Sequence, residues 1–250
     1  QWLIDPNDVT IGTGATTNMS ANPFTPSGTG NGIVNNGSIE TALNSGTNVT
    51  ITTAGSGSAT GNISWSSSNV NKTAGGSATL TLTANGSITL NNVTIQSTSS
   101  ALNINLAAAQ STDGAISFTN TTINTNNGNL TTSSNTTGSS TTALTFAGNN
   151  SFTIGTGNAT LTAVNGLTST GVMINGNLSA SVASGSNFNI TQSETILGNG
   201  LLYGVNLNGS INLSGGGTMT INGTTNVNNK EAIYVTSLTA NVSAGNMAII

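Results

Sequence analysis

The side chains able to do acid, base or ionic chemistry are few and scattered. They are Asp5, Asp8, Glu40, Asp113, Glu194 and Glu231, with Lys72 and Lys230, in a chain of 250 residues that has no His and no Cys. Paired carboxylates can perform general acid–base work on a glycosidic bond. Asp5 with Asp8 is the one close acidic pair, and Lys230-Glu231 the one adjacent pair of opposite sign. Neither has a third charged partner nearby in sequence, whereas β-helical pectate lyases cluster Asp with Arg or Lys on one face. Asp5 therefore reads as a turn residue before Pro6, and Lys230-Glu231 as a solvated loop pair. Without His or Cys there is no imidazole base, thiol nucleophile or zinc thiolate. The calcium-binding repeat Gly-Gly-x-Gly-x-Asp is absent as well. No catalytic residue, cofactor or metal ligand is assigned, and the chain reads as a non-enzyme. Two lysines cannot neutralise a phosphate backbone, which excludes nucleic-acid binding by charge.

Two other residue patterns carry chemistry. Asn-x-Ser/Thr sequons are more numerous than composition alone gives, and they make Asn48, Asn62, Asn85, Asn92, Asn120, Asn158, Asn189, Asn212 and Asn241 candidate glycosylation sites. Much of the excess follows from alternation itself, since in Asn-apolar-Thr both polar residues share one face. Rows such as Thr79/Thr81/Thr83 raise a second idea, ordering of water on an ice-binding face. An ice-binding solenoid keeps one Thr motif per coil, and here Thr, Asn and Ser mix.

The elements that must position these residues are strands. From Asn48 onward apolar and small polar residues alternate with period two, the pattern of a strand with one buried face. In Ala78-Thr79-Leu80-Thr81-Leu82-Thr83-Ala84 the aliphatic residues share one face and the threonines the other. The rhythm recurs in Leu102-Asn103-Ile104-Asn105-Leu106, Leu144-Thr145-Phe146, Phe152-Thr153-Ile154, Val205-Asn206-Leu207 and Met219-Thr220-Ile221. These strands span three to seven residues and are separated by Gly, Asn and Ser clusters that act as turns. Three of them with their turns make a unit of roughly 20–30 residues, a solenoid coil. Disorder is disfavoured, because hydrophobic residues reach 34% and are not scattered, and Pro numbers only 3.

An antiparallel sandwich also uses alternating strands. A right-handed parallel β-helix, an all-β solenoid of short strands with Gly/Asn/Ser turns, accounts for more. The outward Thr, Ser and Asn stack on their own kind from coil to coil. The inward aliphatics suit a narrow interior, and aromatics are only 4%. Charged residues, at 3%, are scarce, as expected where like side chains repeat every ~4.8 Å. Residues 48–250 form this shaft. Residues 1–47 read as an entry region: short strands near Trp2-Leu3-Ile4 and Val9-Thr10-Ile11, a Pro- and Gly-containing excursion from Gly12 to Asn36, and a helical turn over Ser38–Asn44 with Ser38 as N-cap. No apolar run approaches the roughly 20 residues of a membrane-spanning helix. The start, Gln1-Trp2-Leu3-Ile4-Asp5, lacks a signal peptide and reads as a processed or excised segment.

Trp2-Leu3-Ile4-Asp5-Pro6-Asn7-Asp8-Val9-Thr10-Ile11 resembles the WLIDPxDVxI box of two-partner secretion exoproteins of the filamentous haemagglutinin and high-molecular-weight adhesin type. Ser38-Ile39-Glu40-Thr41-Ala42-Leu43-Asn44-Ser45-Gly46-Thr47-Asn48-Val49-Thr50-Ile51 resembles their xIExxLxxGTNVTI segment. The resemblance is carried by residues 1–51 and is compositional beyond them. It departs from the family plan in lacking the Asn-Pro-Asn-Gly box of the secretion domain. It implies a shaft segment displayed outside the cell, at a bacterial surface, whose export partner is an outer-membrane transporter acting on an upstream domain. It further implies adhesion to a host or neighbouring-cell receptor, and modification of some sequons. The expected function is thus a structural and adhesive β-helical shaft. The alternative is a self-assembling filament subunit whose β-helices stack end to end, with other copies of itself as partner.

Overall fold

Thr10 lies exposed between buried Val9 and Ile11, and that two-residue rhythm runs through the rungs that follow. The computed structural model describes residues 7–54, 59–109, 113–136, 141–165, 170–194, 203–224 and 231–250. Strands β1 (Val9–Gly12), β2 (Gly32–Asn35) and β3 (Val49–Thr52) accompany a helix, α1 (Asn36–Asn44). Three rungs of three strands follow. They are β4 (Ile63–Ser66), β5 (Val70–Lys72) and β6 (Ala78–Thr83); β7 (Ile88–Asn91), β8 (Thr94–Ser97) and β9 (Leu102–Ala107); and β10 (Ile116–Thr119), β11 (Thr122–Asn124) and β12 (Leu130–Thr136). Later rungs have two strands each: β13 (Leu144–Gly155) and β14 (Ala159–Asn165), then β15 (Val172–Val182) and β16 (Asn187–Glu194). The final two are β17 (Tyr203–Ser214) with β18 (Thr218–Asn222), and β19 (Glu231–Val242) with β20 (Asn246–Ile249).

Each of these strands pairs in parallel with its counterpart one rung away. One sheet runs β2-β1-β4-β7-β10-β13-β15-β17-β19, with β5, β8 and β11 joined to it through β13; the other runs β3-β6-β9-β12-β14-β16-β18-β20. The fold is a parallel β-helix, nearly all β with one short helix. Parallel pairing between consecutive rungs excludes the hairpin-connected sandwich.

The long strands arise from joining short ones. β10 pairs with Leu144–Ala147 and β11 with Ser151–Thr153 of the same β13. At the joint, Gly148, Gly176 and Gly209 stand in register. A Cβ at Gly209 would sit 1.9 Å from the Gly176 carbonyl oxygen, so the backbones meet there more closely than any side chain permits. Glycine lets the ladder continue around a corner that earlier rungs interrupt.

Register stacks the core into columns. Ile63, Ile88, Ile116, Leu144, Val172, Val205 and Ile233 lie over one another. Trp65, Leu90, Phe118, Phe146, Ile174 and Leu207 form the next column. On the second sheet Ile51, Leu82, Leu106, Thr132, Leu161, Ile190 and Ile221 do the same. The rings gather in the middle rungs, where Phe118 stacks on Phe146 at 5.4 Å and Phe152 meets both edge-on. All three are fully buried.

At the amino-terminal end, α1 packs Ile39 and Leu43, both fully buried, onto the core. Its N-cap is Asn35, whose side chain accepts a hydrogen bond from the Ser38 N–H. The helix therefore starts earlier than Ser38, and the expected cap is instead a residue of its first turn. Phe24 on the excursion bridges Ile51 in parallel and covers the same end. Trp2-Leu3-Ile4-Asp5-Pro6 lies outside the described residues.

Candidate functional site

The outer surface is organised by asparagine. Asn103 Oδ1 accepts from the Asn129 N–H at 2.9 Å, Asn129 Oδ1 from Asn158 at 2.8 Å, and Asn158 Oδ1 from Asn187 at 2.8 Å. Each side chain thus satisfies a backbone donor one rung further along, where the chain enters a strand of the second sheet. Similar bonds join Asn48 to Thr79, Asn62 to Ser87, Asn69 to Thr94 and Asn120 to Asn149. Amide-to-amide ladders add Asn177 to Asn149 at 2.6 Å and Asn241 to Asn212 at 2.8 Å. The sequence reading recognised outward stacking; that these amides cap backbone donors needs the register to be known.

The nine sequon asparagines named above all lie off the core. Asn48, Asn92, Asn120, Asn158 and Asn241 are exposed, and Asn62, Asn85, Asn189 and Asn212 half-buried. The register does not gather them into one patch, since they occur on both sheets and at turns. Several are already committed: Asn120, for example, accepts from Asn149 and donates to Asn92.

The acids hold backbone. Asp8 accepts from the Asn62 N–H at 2.7 Å, and Glu40 from the Asn71 N–H at 2.9 Å. Among the described residues no three of His, Cys, Asp and Glu converge to hold a metal ion. Asp5 and Lys230 lie outside the described residues, so neither the Asp5–Asp8 pair nor the Lys230-Glu231 pair is placed; the side chain of Glu194 lies outside them too. Among the described residues no helix is long and apolar enough to cross a membrane.

Lys72 is the residue that sequence reasoning passed over. It is fully buried, and its ammonium donates to the Ala74 and Gly75 carbonyls and to Ser99 Oγ, at 2.5, 3.2 and 3.0 Å. A charge is tolerated in such a place only when fully hydrogen-bonded. Its register partner, Ser97, donates to the Ser100 carbonyl, and Thr125 to that of Gly128. Lys72 therefore does at one corner what hydroxyls do above it: it ties down the turn that follows. Proximity to Ser97 three-dimensionally, not in sequence, is what reveals this.

The surface also carries a groove along the later rungs and a stacked aromatic pair. An open groove of about 330 Å³ crosses β13, β15, β17 and β19 between Ser151, Ser179, Asn212 and Asn241. Those four residues are in register, and earlier rungs carry Thr94 and Thr122 in the same column. At the start of β17 and on β19, the rings of Tyr203 and Tyr234 stack at 4.0 Å and 8°. Loss of solvent around the Tyr203 hydroxyl raises its pKa above the ordinary phenol value, with Tyr234 and Glu231 adding to the rise. The groove is lined by uncharged Ser and Asn side chains together with Phe152, Ala180 and Leu213.

No protein family, curated protein or solved structure matches the chain.

Proposed function

We propose that the chain is a structural and adhesive shaft: a non-enzymatic rod that works outside the cell, at a bacterial surface, and holds a contact surface away from it. The observation that carries this reading is the continuous column of inward aliphatic residues from Ile63 on β4 to Ile233 on β19. Rungs about 4.8 Å apart, each contacting only its neighbours, build length and stiffness in proportion to chain. The outward face is a field of Asn, Thr and Ser with few charges, suited to many weak contacts. The resemblance of residues 1–51 to two-partner secretion exoproteins supports export through an outer-membrane transporter by way of an upstream domain. It also supports a receptor on host or neighbouring cells. Modification of sequon asparagines fits this reading, because Asn48, Asn62, Asn120 and Asn158 hold backbone donors through Oδ1 and not through the Nδ2 that would carry a glycan.

The test couples the 250-residue chain to beads and measures their retention on epithelial and bacterial monolayers, with solution scattering on the free protein. Retention above that of uncoated beads and scattering from an elongated particle are expected. Beads that wash off would remove the adhesive role, and scattering from a near-spherical particle would remove the shaft.

A second reading, end-to-end stacking into filaments, draws on the exposure of Val235, Val242 and Ile250 in the last rung. Against it, α1 and Phe24 cover the opposite end. Electron microscopy over a concentration series separates the two: fibres support stacking, and rods of constant length support the shaft alone.

A further inference from the structure

On β12 of the second sheet most of the inward side chains carry hydroxyls. On β12, Leu130 is followed inward by Thr132, Ser134 and Thr136, each buried to 3% exposure or less. The equivalent inward residues are Ile104 and Leu106 on β9, and Ala159, Leu161, Ala163 and the polar Asn165 on β14. Thr132 Oγ1 and Thr136 Oγ1 have no hydrogen-bond partner, and Ser134 Oγ reaches the Thr162 carbonyl only at 3.4 Å. A buried hydroxyl without a partner costs the folded state its full desolvation. Two such positions fall on a single strand, with the long bond of Ser134 between them.

Pairing is shorter on one side at the same place, although β14 pairs with β12 along its whole length. β9 covers Leu130 to Ser133. Beyond it Asn135 exchanges backbone hydrogen bonds with Gly114 through an antiparallel bridge, at 2.8 and 3.1 Å. The outward residues Thr131, Ser133 and Asn135 are chemically close to the inward ones. A shift by one residue, which elsewhere would turn every aliphatic side chain to solvent, displaces only Leu130 here. The first sheet behaves oppositely in this rung: Phe118 on β10 is locked against Phe146 and Phe152.

We infer that β12 is a built-in yield point, at which the second sheet opens before its neighbours while the phenylalanine cluster keeps the first sheet closed, so that the rod bends there. Local opening draws on the least stable cooperative unit of a fold. In a solenoid with nearest-neighbour energetics one weak rung is enough to place it. The inference is independent of whether the rod is adhesive.

Native-state hydrogen exchange followed by mass spectrometry tests it on the 250-residue chain. Amides of 130–136 are expected to show protection factors about tenfold or more below those of 102–107 and 159–165. Thr132→Val with Thr136→Val, which removes the unpartnered hydroxyls at nearly constant shape, is expected to raise β12 protection about tenfold. Thr160→Val, on the outward face of β14, is expected to leave it unchanged. Equal protection in β9, β12 and β14 overturns the inference. So does faster exchange in the double valine variant, which would mean that internal water satisfies both hydroxyls.

Discussion

At the scale of the residue, burial and not charge count decides what the ionisable groups do. Lys72 is a corner tie, and Lys72→Met keeps most of its stem while leaving the Ala74 and Gly75 carbonyls without their donor. That variant is expected to lose about 1–3 kcal/mol, read as a lower urea midpoint with an unchanged slope. Full stability in the variant would mean water replaces the ammonium. Tyr203 gives the one pH dependence with a definite sign. Its folded pKa is raised, chiefly by desolvation and then by Tyr234 and Glu231, so the folded state holds the phenolic proton longer than the unfolded chain does. Stability is therefore complete below about pH 10, the unperturbed phenol value, and falls as pH rises through the folded pKa. The thermal midpoint of the native chain is expected to fall more steeply above pH 10 than that of Tyr203→Phe. Parallel profiles would refute it.

At the scale of the element, the asparagine ladder explains why a soluble-looking surface is so poor in charge. Asn103, Asn129, Asn158 and Asn187 follow one another at a single position of consecutive rungs. A carboxylate there could still accept the backbone N–H, but several in a row would stand about 4.8 Å apart and repel. Asn158→Asp alone is expected to cost under about 1 kcal/mol, whereas Asn129→Asp, Asn158→Asp and Asn187→Asp together cost more than three times as much at neutral pH. Mutual repulsion raises the folded pKa of each above about 3.9, so the deficit is expected to vanish as pH falls below that range. Thermal melts at pH 7 and pH 3 check both halves. The alternation that predicts these strands was legible in sequence, because inward and outward residues differ in kind: Leu80 and Leu82 against Thr79 and Thr81. The lateral order was not. Nothing local tells that Asn158 precedes Asn187 by one rung, that Lys72 lies beneath Ser97, or that Gly148, Gly176 and Gly209 share a corner. Ser38 was misplaced as the helix cap because Asn35 and Ser38 are both good capping residues. Only the β-conformation of Asn35, φ −70 and ψ 126, separates them.

At the scale of the whole molecule, register makes the rung a removable unit. Ile88 pairs with Ile63 on one side and Ile116 on the other, and Leu90 with Trp65 and Phe118. On the next face Ile95 lies between Val70 and Ile123, and on the second sheet Ile104 lies between Leu80 and Leu130. Deleting residues 88–115 therefore brings Ile116 onto Ile63, Phe118 onto Trp65, Ile123 onto Val70 and Leu130 onto Leu80, with every inward residue still facing inward. Outside that rung the losses are polar and include the bond of Lys72 to Ser99 Oγ, those to Ala74 and Gly75 staying, the Asn103 cap on Asn129, the Asn92 acceptor of Asn120 and the Gly114 bridge to Asn135. The shortened chain is expected to fold with an unchanged β spectrum and a maximum dimension about 5 Å smaller by solution scattering. Its urea slope is expected to fall in proportion to the surface lost. In a globular domain, removing a central segment of this size would destroy the only core; in a solenoid the core is cut at a repeat and closes again. A deletion chain that is unfolded or aggregated under conditions where the intact protein is folded would show that the columns are not interchangeable, and would undo the additive account of the rod.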